Sequence, residues 1–136
     1  MEGNNPQTVV VLEPDVVVRA EIGEHLRECG YRVIEGVEAN DLRAFLQADM
    51  PVHVVLSEAN LRRGQSGFEL AQELRQTRPE IAVILVSSIS NVAEKASDLC
   101  ARNPVKKPYR PEEIVCRIQT LVAKRNLSGK AMGGKD

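Results

Sequence analysis

Short apolar runs alternate with amphipathic stretches along this chain. Five runs have the length of a strand, and they occupy residues 8–12, 31–35, 52–57, 81–86 and 103–106. The first and fourth runs are almost wholly aliphatic and β-branched, which favours strands that are buried on both faces of a parallel sheet.

The intervening stretches carry apolar residues three or four positions apart, as helices do. They cover about 18–29, 39–48, 68–78, 90–101 and 111–125. Five strands and five helices in alternation predict an α/β fold, with a parallel sheet and helices on both faces. In such folds the functional crevice lies at the carboxyl ends of the strands, so we expect the chemistry there.

Composition narrows the class of protein. The 136 residues suit one domain, which we place at 8–126, between an N-terminal tail at 1–7 and a flexible C-terminal tail at 127–136. Hydrophobic residues make up 43% and only four residues are aromatic, so the core must be aliphatic.

The net charge of −1 argues against a nucleic-acid partner or an anionic membrane surface. No apolar run approaches the roughly 20 residues of a membrane span, and the polar start lacks the pattern of a signal peptide, so a cytoplasmic location is expected.

The spacing of the cysteines and histidines in the sequence does not predict a metal site. The three cysteines are far apart and form no CxxC pair, which favours neither a zinc site nor a disulfide framework. Cys100 and Cys116 fall on apolar helix faces and are expected in the core. His25 and His53 are expected to have no cysteine or histidine at ligand spacing, and His53 should lie at the edge of the sheet opposite the crevice.

The strand ends carry the motifs that identify a family. Five segments stand in order, namely VVVLEPD at 9–15, VVLSEANL at 54–61, GFEL at 67–70, VSS at 86–88 and KPYRP at 107–111. Together they resemble the receiver domain of two-component response regulators, over about residues 8–125. The resemblance implies a flavodoxin-like doubly wound sheet with strand order 2-1-3-4-5.

The resemblance also implies a chemistry. Receivers take a phosphoryl group from a sensor histidine kinase onto an Asp, with Mg²⁺, a Lys and a hydroxyl offsetting or binding the phosphoryl charge. Here Glu13 corresponds to the first acid of the metal-binding pair, and Glu58 stands at the phosphoacceptor position. Ser87 corresponds to the switch hydroxyl, and Lys107 corresponds to the lysine that contacts the phosphate.

Three departures from the family pattern change the expected function. The acceptor position holds Glu58 instead of Asp, and the second acid of the metal pair is replaced by Pro14. The switch aromatic is replaced by Pro104. The sequence therefore predicts a degenerate receiver, without catalytic residues or a cofactor, that acts by binding a histidine kinase or another signalling protein. Mg²⁺ is not expected, because Pro14 has no side-chain oxygen.

Several alternatives stay open at the level of sequence. Asp15 is either a helix N-cap or, with Glu13, a weak metal candidate. Glu58 either forms an ion pair with Lys107 or mimics the phosphorylated state beside Lys107 and Ser87. A receiver that is still phosphorylated is the second functional reading, and a flavodoxin-like cofactor protein or enzyme is the third. A homodimer through the face of the fourth and fifth predicted helices is a further expectation.

Overall fold

The sheet has five parallel strands. The computed structural model describes residues 6–61, 65–87, 105–107 and 109–135. The strands are β1 (Thr8–Leu12), β2 (Arg32–Gly36), β3 (Val54–Glu58), β4 (Ala82–Ser87) and β5 (Val105–Lys106). Their order is β2-β1-β3-β4-β5, which confirms the predicted doubly wound topology.

Four helices connect or follow these strands in the described residues. They are α1 (Val16–Glu28), α2 (Ala39–Gln47), α3 (Gly67–Thr77) and a C-terminal helix (Pro111–Lys135). The predicted helix at 90–101 lies outside the described residues, as do Ser88 and Pro104. The C-terminal helix runs past Asn126 through the stretch expected to be a flexible tail. No proline interrupts that stretch, so its glycines lower helix propensity without blocking the backbone hydrogen bonds.

Alternate side chains of β1 contribute to the two halves of the core, one on each face of the sheet. Val9 and Val11 lie in one cluster, together with residues of α1 and the C-terminal helix. Val10 and Leu12 lie in the other, with residues of α2 and α3. This is the period-two alternation of a strand, and it gives the helices on both faces that the sequence predicted.

The expectation that Cys116 belongs to the core was wrong, because its side chain is exposed. Ile114 and Ile118 are fully buried and define the inner face of the C-terminal helix. Residues three or four apart share a helix face, so a residue two positions from each isoleucine turns away from it.

Backbone hydrogen bonds continue the strand pairing beyond the strands and align their carboxyl ends. The Glu13 amide donates to the Gly36 carbonyl at 3.1 Å, and the Lys107 amide donates to the Ser87 carbonyl at 3.1 Å. The Ala59 amide donates to the Val86 carbonyl at 2.8 Å. The residues that follow β1, β3 and β5 therefore start from fixed backbone positions at one edge of the sheet.

Helix α3 begins directly against the end of β3. The Gly67 amide donates to the Ala59 carbonyl at 2.8 Å, and the Ser66 hydroxyl caps the helix by accepting from the Phe68 amide at 3.1 Å. A Cβ on Gly67 would lie 2.5 Å from the Glu58 carbonyl oxygen. This close approach of two backbones requires glycine.

We expect Gly67→Ala to lower the free energy of unfolding by about 1–3 kcal/mol, because the added methyl meets backbone atoms that cannot move independently. Gly23→Ala is the matched control. Its Cβ would meet the ends of the Glu35 and Arg27 side chains, and alanine favours the helix by up to about 1 kcal/mol. Urea unfolding of both variants measures the difference, and an unchanged stability of Gly67→Ala would contradict the argument.

Helix α2 offers a second test, with a defined pH window. One oxygen of Asp41 accepts from the Val37 amide at 2.8 Å and from the Glu38 amide at 3.0 Å. These backbone hydrogen bonds lower the pKa of Asp41 below its ordinary value of 3.8. The folded state therefore gains stability from the ionised form above that value and loses it as the pH falls through the lowered pKa.

Asp41→Ala should lower the free energy of unfolding by about 1 kcal/mol at neutral pH, because a capping side chain usually contributes that much. The difference from wild type should shrink below pH 3.8. Urea titrations at neutral and acidic pH measure it. A difference that is independent of pH would show that the carboxylate charge contributes nothing.

Candidate functional site

Lys107 lies between two buried carboxylates at the carboxyl edge of the sheet. Its Nζ is 2.6 Å from Glu13 Oε1 and 2.6 Å from Glu58 Oε1. The glutamate side chains are only 7% and 8% exposed, whereas that of Lys107 is 22% exposed. The predicted ion pair between Glu58 and Lys107 is present, and Glu13 makes it a triad.

The second oxygen of each glutamate faces a backbone amide. Glu13 Oε2 accepts from the Asp15 amide at 3.0 Å, and Glu58 Oε2 accepts from the Asn60 amide at 3.4 Å. Each carboxylate is thus held at one oxygen by the loop that follows its own strand. Glu58 Oε1 is fully buried, and its contact with Lys107 is an ion pair without the alignment of a hydrogen bond.

Asp15 serves the helix rather than the triad. Its Oδ1 accepts from the Val17 amide at 2.9 Å and the Val18 amide at 3.2 Å, so it is the N-cap of α1. This agrees with the capping alternative for Asp15. Arg19, one turn into α1, donates to the Glu13 carbonyl at 2.7 Å and ties the helix to the end of β1.

Ser57 and Ser87, near the ends of β3 and β4, are buried. Ser57 donates its hydroxyl to the Glu58 carbonyl at 3.0 Å, which satisfies local backbone. Ser87 is the last residue of β4 and is 1% exposed. Since the Ser87 carbonyl accepts from the Lys107 amide, the structure brings Ser87 to the same edge as the triad.

Burial and the neighbouring charges have opposite effects on the pKa of Lys107, the cation of the triad. Burial alone would lower the pKa of Lys107, but the close contacts with Glu13 and Glu58 and their negative charges outweigh burial and raise that pKa. Lys107 therefore stays protonated at neutral pH. With two carboxylates and one ammonium, the triad carries a formal charge of −1.

The charges of the triad also act on Tyr109, a residue to which the sequence analysis assigned no role. Burial, followed by the negative charge of Glu13, raises the pKa of Tyr109 to about 12, so its phenol is neutral. The ring packs against the core cluster formed with α1 and the C-terminal helix. Its position two residues after Lys107, in the run KPYRP, was the available signal.

The donor set of the triad does not fit a Mg²⁺ ion. Mg²⁺ requires near-octahedral oxygen ligands and usually one or two free carboxylates. Each glutamate here has one oxygen on Lys107 and the other on a backbone amide. Across the described parts of the chain, no three His, Cys, Asp or Glu side chains come together in a way that could hold a metal ion.

The histidines lie away from the triad. His53 Nδ1 accepts from the Thr8 amide at 2.9 Å, at the start of β1 and thus at the opposite edge of the sheet, as predicted. The expectation that His25 has no cysteine at ligand spacing was wrong. Cys29, the C-cap of α1, lies four residues after His25. Its Sγ is 3.7 Å from His25 Nε2, because residues four apart share a helix face.

Among the helices of the described residues, none combines the length and the apolar character needed to cross a bilayer.

Comparison with known proteins gives a consistent set of relatives. The sequence matches the response regulator receiver domain over residues 9–119. It is 32% identical over 120 residues to the transcriptional regulatory protein AruR of Pseudomonas aeruginosa, covering 84% of this chain and 48% of AruR. It is 26% identical over 120 residues to the probable transcriptional regulator ycf27 of Cyanophora paradoxa, covering 87% and 49%. The chain thus spans about half the length of these curated relatives.

Solved structures show the same fold. The receiver domain of the TMAO respiratory system response regulator TorR superposes with a TM-score of 0.78 at 26% identity, covering 88% of this chain and 98% of that domain. The Thermotoga maritima response regulator DrrB gives a TM-score of 0.75 at 26% identity, covering 88% and 54%. Receiver domains are signalling modules that interact with histidine kinases and other signalling proteins. On its fold, its strand-end residues and these matches, the chain belongs to the receiver-domain family of two-component response regulators.

Proposed function

We propose that this domain is a degenerate receiver, which is not phosphorylated at the acceptor position and signals by protein–protein binding. The observation that carries the proposal is the contact of Lys107 with both Glu13 and Glu58, at 2.6 Å each. The ammonium neutralises one of the two negative charges that remain at this edge once Pro14 replaces an acid.

The charge balance supports this proposal. The family pattern of two acids after β1, one acceptor and one lysine has a formal charge of −2, which matches a divalent cation. Pro14 removes one of those acids, so Glu13, Glu58 and Lys107 together carry only −1. A Mg²⁺ ion at this edge would have to compete with Lys107 for the oxygens of both glutamates. Such binding is unfavourable, because Mg²⁺ requires nearly ideal octahedral coordination.

The geometry of the acceptor position supports it as well. Glu58 has one methylene more than Asp, and its carboxylate is oriented by Lys107 on one oxygen and by the Asn60 amide on the other. An attacking oxygen must be free and in line with the phosphoryl group, and a displacement of ~1 Å can cost about 10²-fold in rate. Both oxygens of Glu58 already have partners, and the added methylene displaces its carboxylate from the position that an Asp would give it.

The partner classes follow from the family and from charge. We propose a cytoplasmic module that binds a sensor histidine kinase or another signalling protein. The net charge of −1 gives no electrostatic basis for nucleic-acid binding by this domain. AruR and ycf27, which are named as transcriptional regulators, are about twice as long as this chain.

The phosphorylation assay tests the proposal directly. After incubation with acetyl phosphate and Mg²⁺, intact-mass analysis of the wild-type protein should show no phosphoryl adduct, because neither the metal site nor the acceptor is correctly formed. The double variant Pro14→Asp/Glu58→Asp should gain one adduct, since it restores both groups. A stoichiometric adduct on the wild type would overturn the proposal and favour a receiver that uses Glu58 as acceptor.

Removal of the central cation should be costly. Lys107→Met leaves two neighbouring buried carboxylates without a counterion, and we expect the free energy of unfolding to fall by about 3 kcal/mol. Adding Glu58→Gln to this variant should recover part of the loss. Because the pKa of Lys107 is raised above 10.5, its charge stabilises the fold up to that pH and is lost only as the pH rises through the higher value.

Arg78→Met is the matched control for this substitution. Arg78 pairs with Glu80 at 2.7 Å, but the two side chains are 39% and 60% exposed, so the change should cost less than about 1 kcal/mol. Denaturant unfolding measures all variants. Equal losses for Lys107→Met and Arg78→Met would show that the buried triad contributes no more than a surface pair.

A further inference from the structure

A pair of reactive side chains, His25 and Cys29, lies at the C-terminal end of α1, outside the strand-end site. His25 Nε2 and Cys29 Sγ are 3.7 Å apart across one turn of the helix. The Cys29 side chain is exposed and that of His25 is partly exposed. Neither residue takes part in the Glu13–Lys107–Glu58 triad, so the pair requires an explanation of its own.

The separation of the two atoms matches two ligands on one metal ion. A tetrahedral zinc ion lies about 2.3 Å from a thiolate sulfur and about 2.0 Å from an imidazole nitrogen, which places those two atoms about 3.5 Å apart. The observed 3.7 Å therefore needs an adjustment of only a few tenths of an ångström. Ligands spaced i and i+4 on one helix face are a known arrangement for zinc.

The electrostatic surroundings of the pair favour a cation. Cys29 is the C-cap of α1, where the helix dipole has its negative end. Glu21, Glu24 and Glu28 are exposed on the same helix. The nearby cation Arg27 is engaged elsewhere, because its guanidinium contacts Glu35 Oε2 at 3.0 Å and the Val33 carbonyl at 3.2 Å.

One chain supplies only half of a structural zinc site. Such sites use four protein ligands, and the described residues contain no group of three or more metal-binding side chains. We propose that His25 and Cys29 bind a thiophilic divalent cation of the zinc type, and that the same pair of a second copy completes the site. A two-fold axis through the ion brings two α1 helices together with two thiolates and two imidazoles.

The charge and proton balance of this step is complete. Each Cys29 thiol releases one proton to solvent when its sulfur binds the ion, and each His25 binds as the neutral imidazole through Nε2. Two thiolates and one divalent cation give a site without net charge. No oxidant or further reactant is required.

Metal titration of the wild-type protein tests the proposal, with Zn²⁺ and Co²⁺ as the probes and a phosphine reductant to keep the thiols reduced. Light scattering should show a dimer that forms with one ion for two chains. Co²⁺ should give the visible bands of tetrahedral coordination and the near-ultraviolet charge-transfer band of a thiolate ligand. Cys29→Ser and His25→Asn should each weaken metal binding at least tenfold and abolish the metal-dependent dimer.

Cys116→Ser is the matched control, since Cys116 is also exposed but lies on the C-terminal helix. It should bind Co²⁺ and dimerise as the wild type does, and thermal unfolding without metal should show that all variants are folded. The proposal is overturned by any of four results: no binding to wild type, binding of one ion per monomer without dimerisation, binding that survives Cys29→Ser or His25→Asn, or loss of binding in Cys116→Ser. The test is independent of the state of Glu58 and so of the proposed signalling mode.

Discussion

The ammonium of Lys107 is the counterion on which the carboxyl edge of the sheet depends. Two carboxylates that are less than one-tenth exposed cannot lie side by side without a positive charge, because burial strengthens their repulsion and removes their hydration. The backbone brings that charge into place. Lys107 follows β5, and its amide is hydrogen-bonded to the end of β4, so its side chain reaches back over β3 and β1. The acidic edge is therefore stable only when the last strand is in position.

The replacement of one acid by Pro14 fits this arrangement physically. With that acid present, a single lysine would leave an edge of charge −2, which a divalent cation could complete. Without it, the lysine alone leaves −1, and the remaining oxygens accept hydrogen bonds from the Asp15 and Asn60 amides. Asp15, the nearest other carboxylate in sequence, is committed to the N-terminus of α1. At an edge where the family has a metal ion and a lysine, Lys107 of this chain contacts both glutamates directly.

Helix α1 has two faces with different constraints. Ile22 and Leu26 are buried in the core and fix the helix against the sheet. His25 and Cys29 lie on the outer side, where packing imposes little on residue choice. The N-terminus of α1 adjoins the triad through Asp15. The proposed metal ligands His25 and Cys29 lie at the other end of the helix, about three turns away. A contact between copies at that end would leave the triad accessible to a signalling partner.

The sequence by itself determined the architecture of this protein. Period-two and period-3.6 patterns are local properties, and they were sufficient for the strands, the described helices, the parallel sheet and the strand-end location of Glu13, Glu58, Ser87 and Lys107. The motifs at those strand ends were specific enough to indicate the family and the departures at positions 14 and 58.

Local pattern was insufficient where the outcome depends on distant contacts. Only the tertiary structure decided that Lys107 is shared by two glutamates, that the charges of this triad act on Tyr109 and that Cys116 faces solvent. These depend on side chains that meet from elements far apart in the chain, or on which side of a helix the rest of the molecule covers. The proximity of His25 and Cys29 could have been read from their spacing of four, but their exposure required the fold, because only packing decides which helix face is buried.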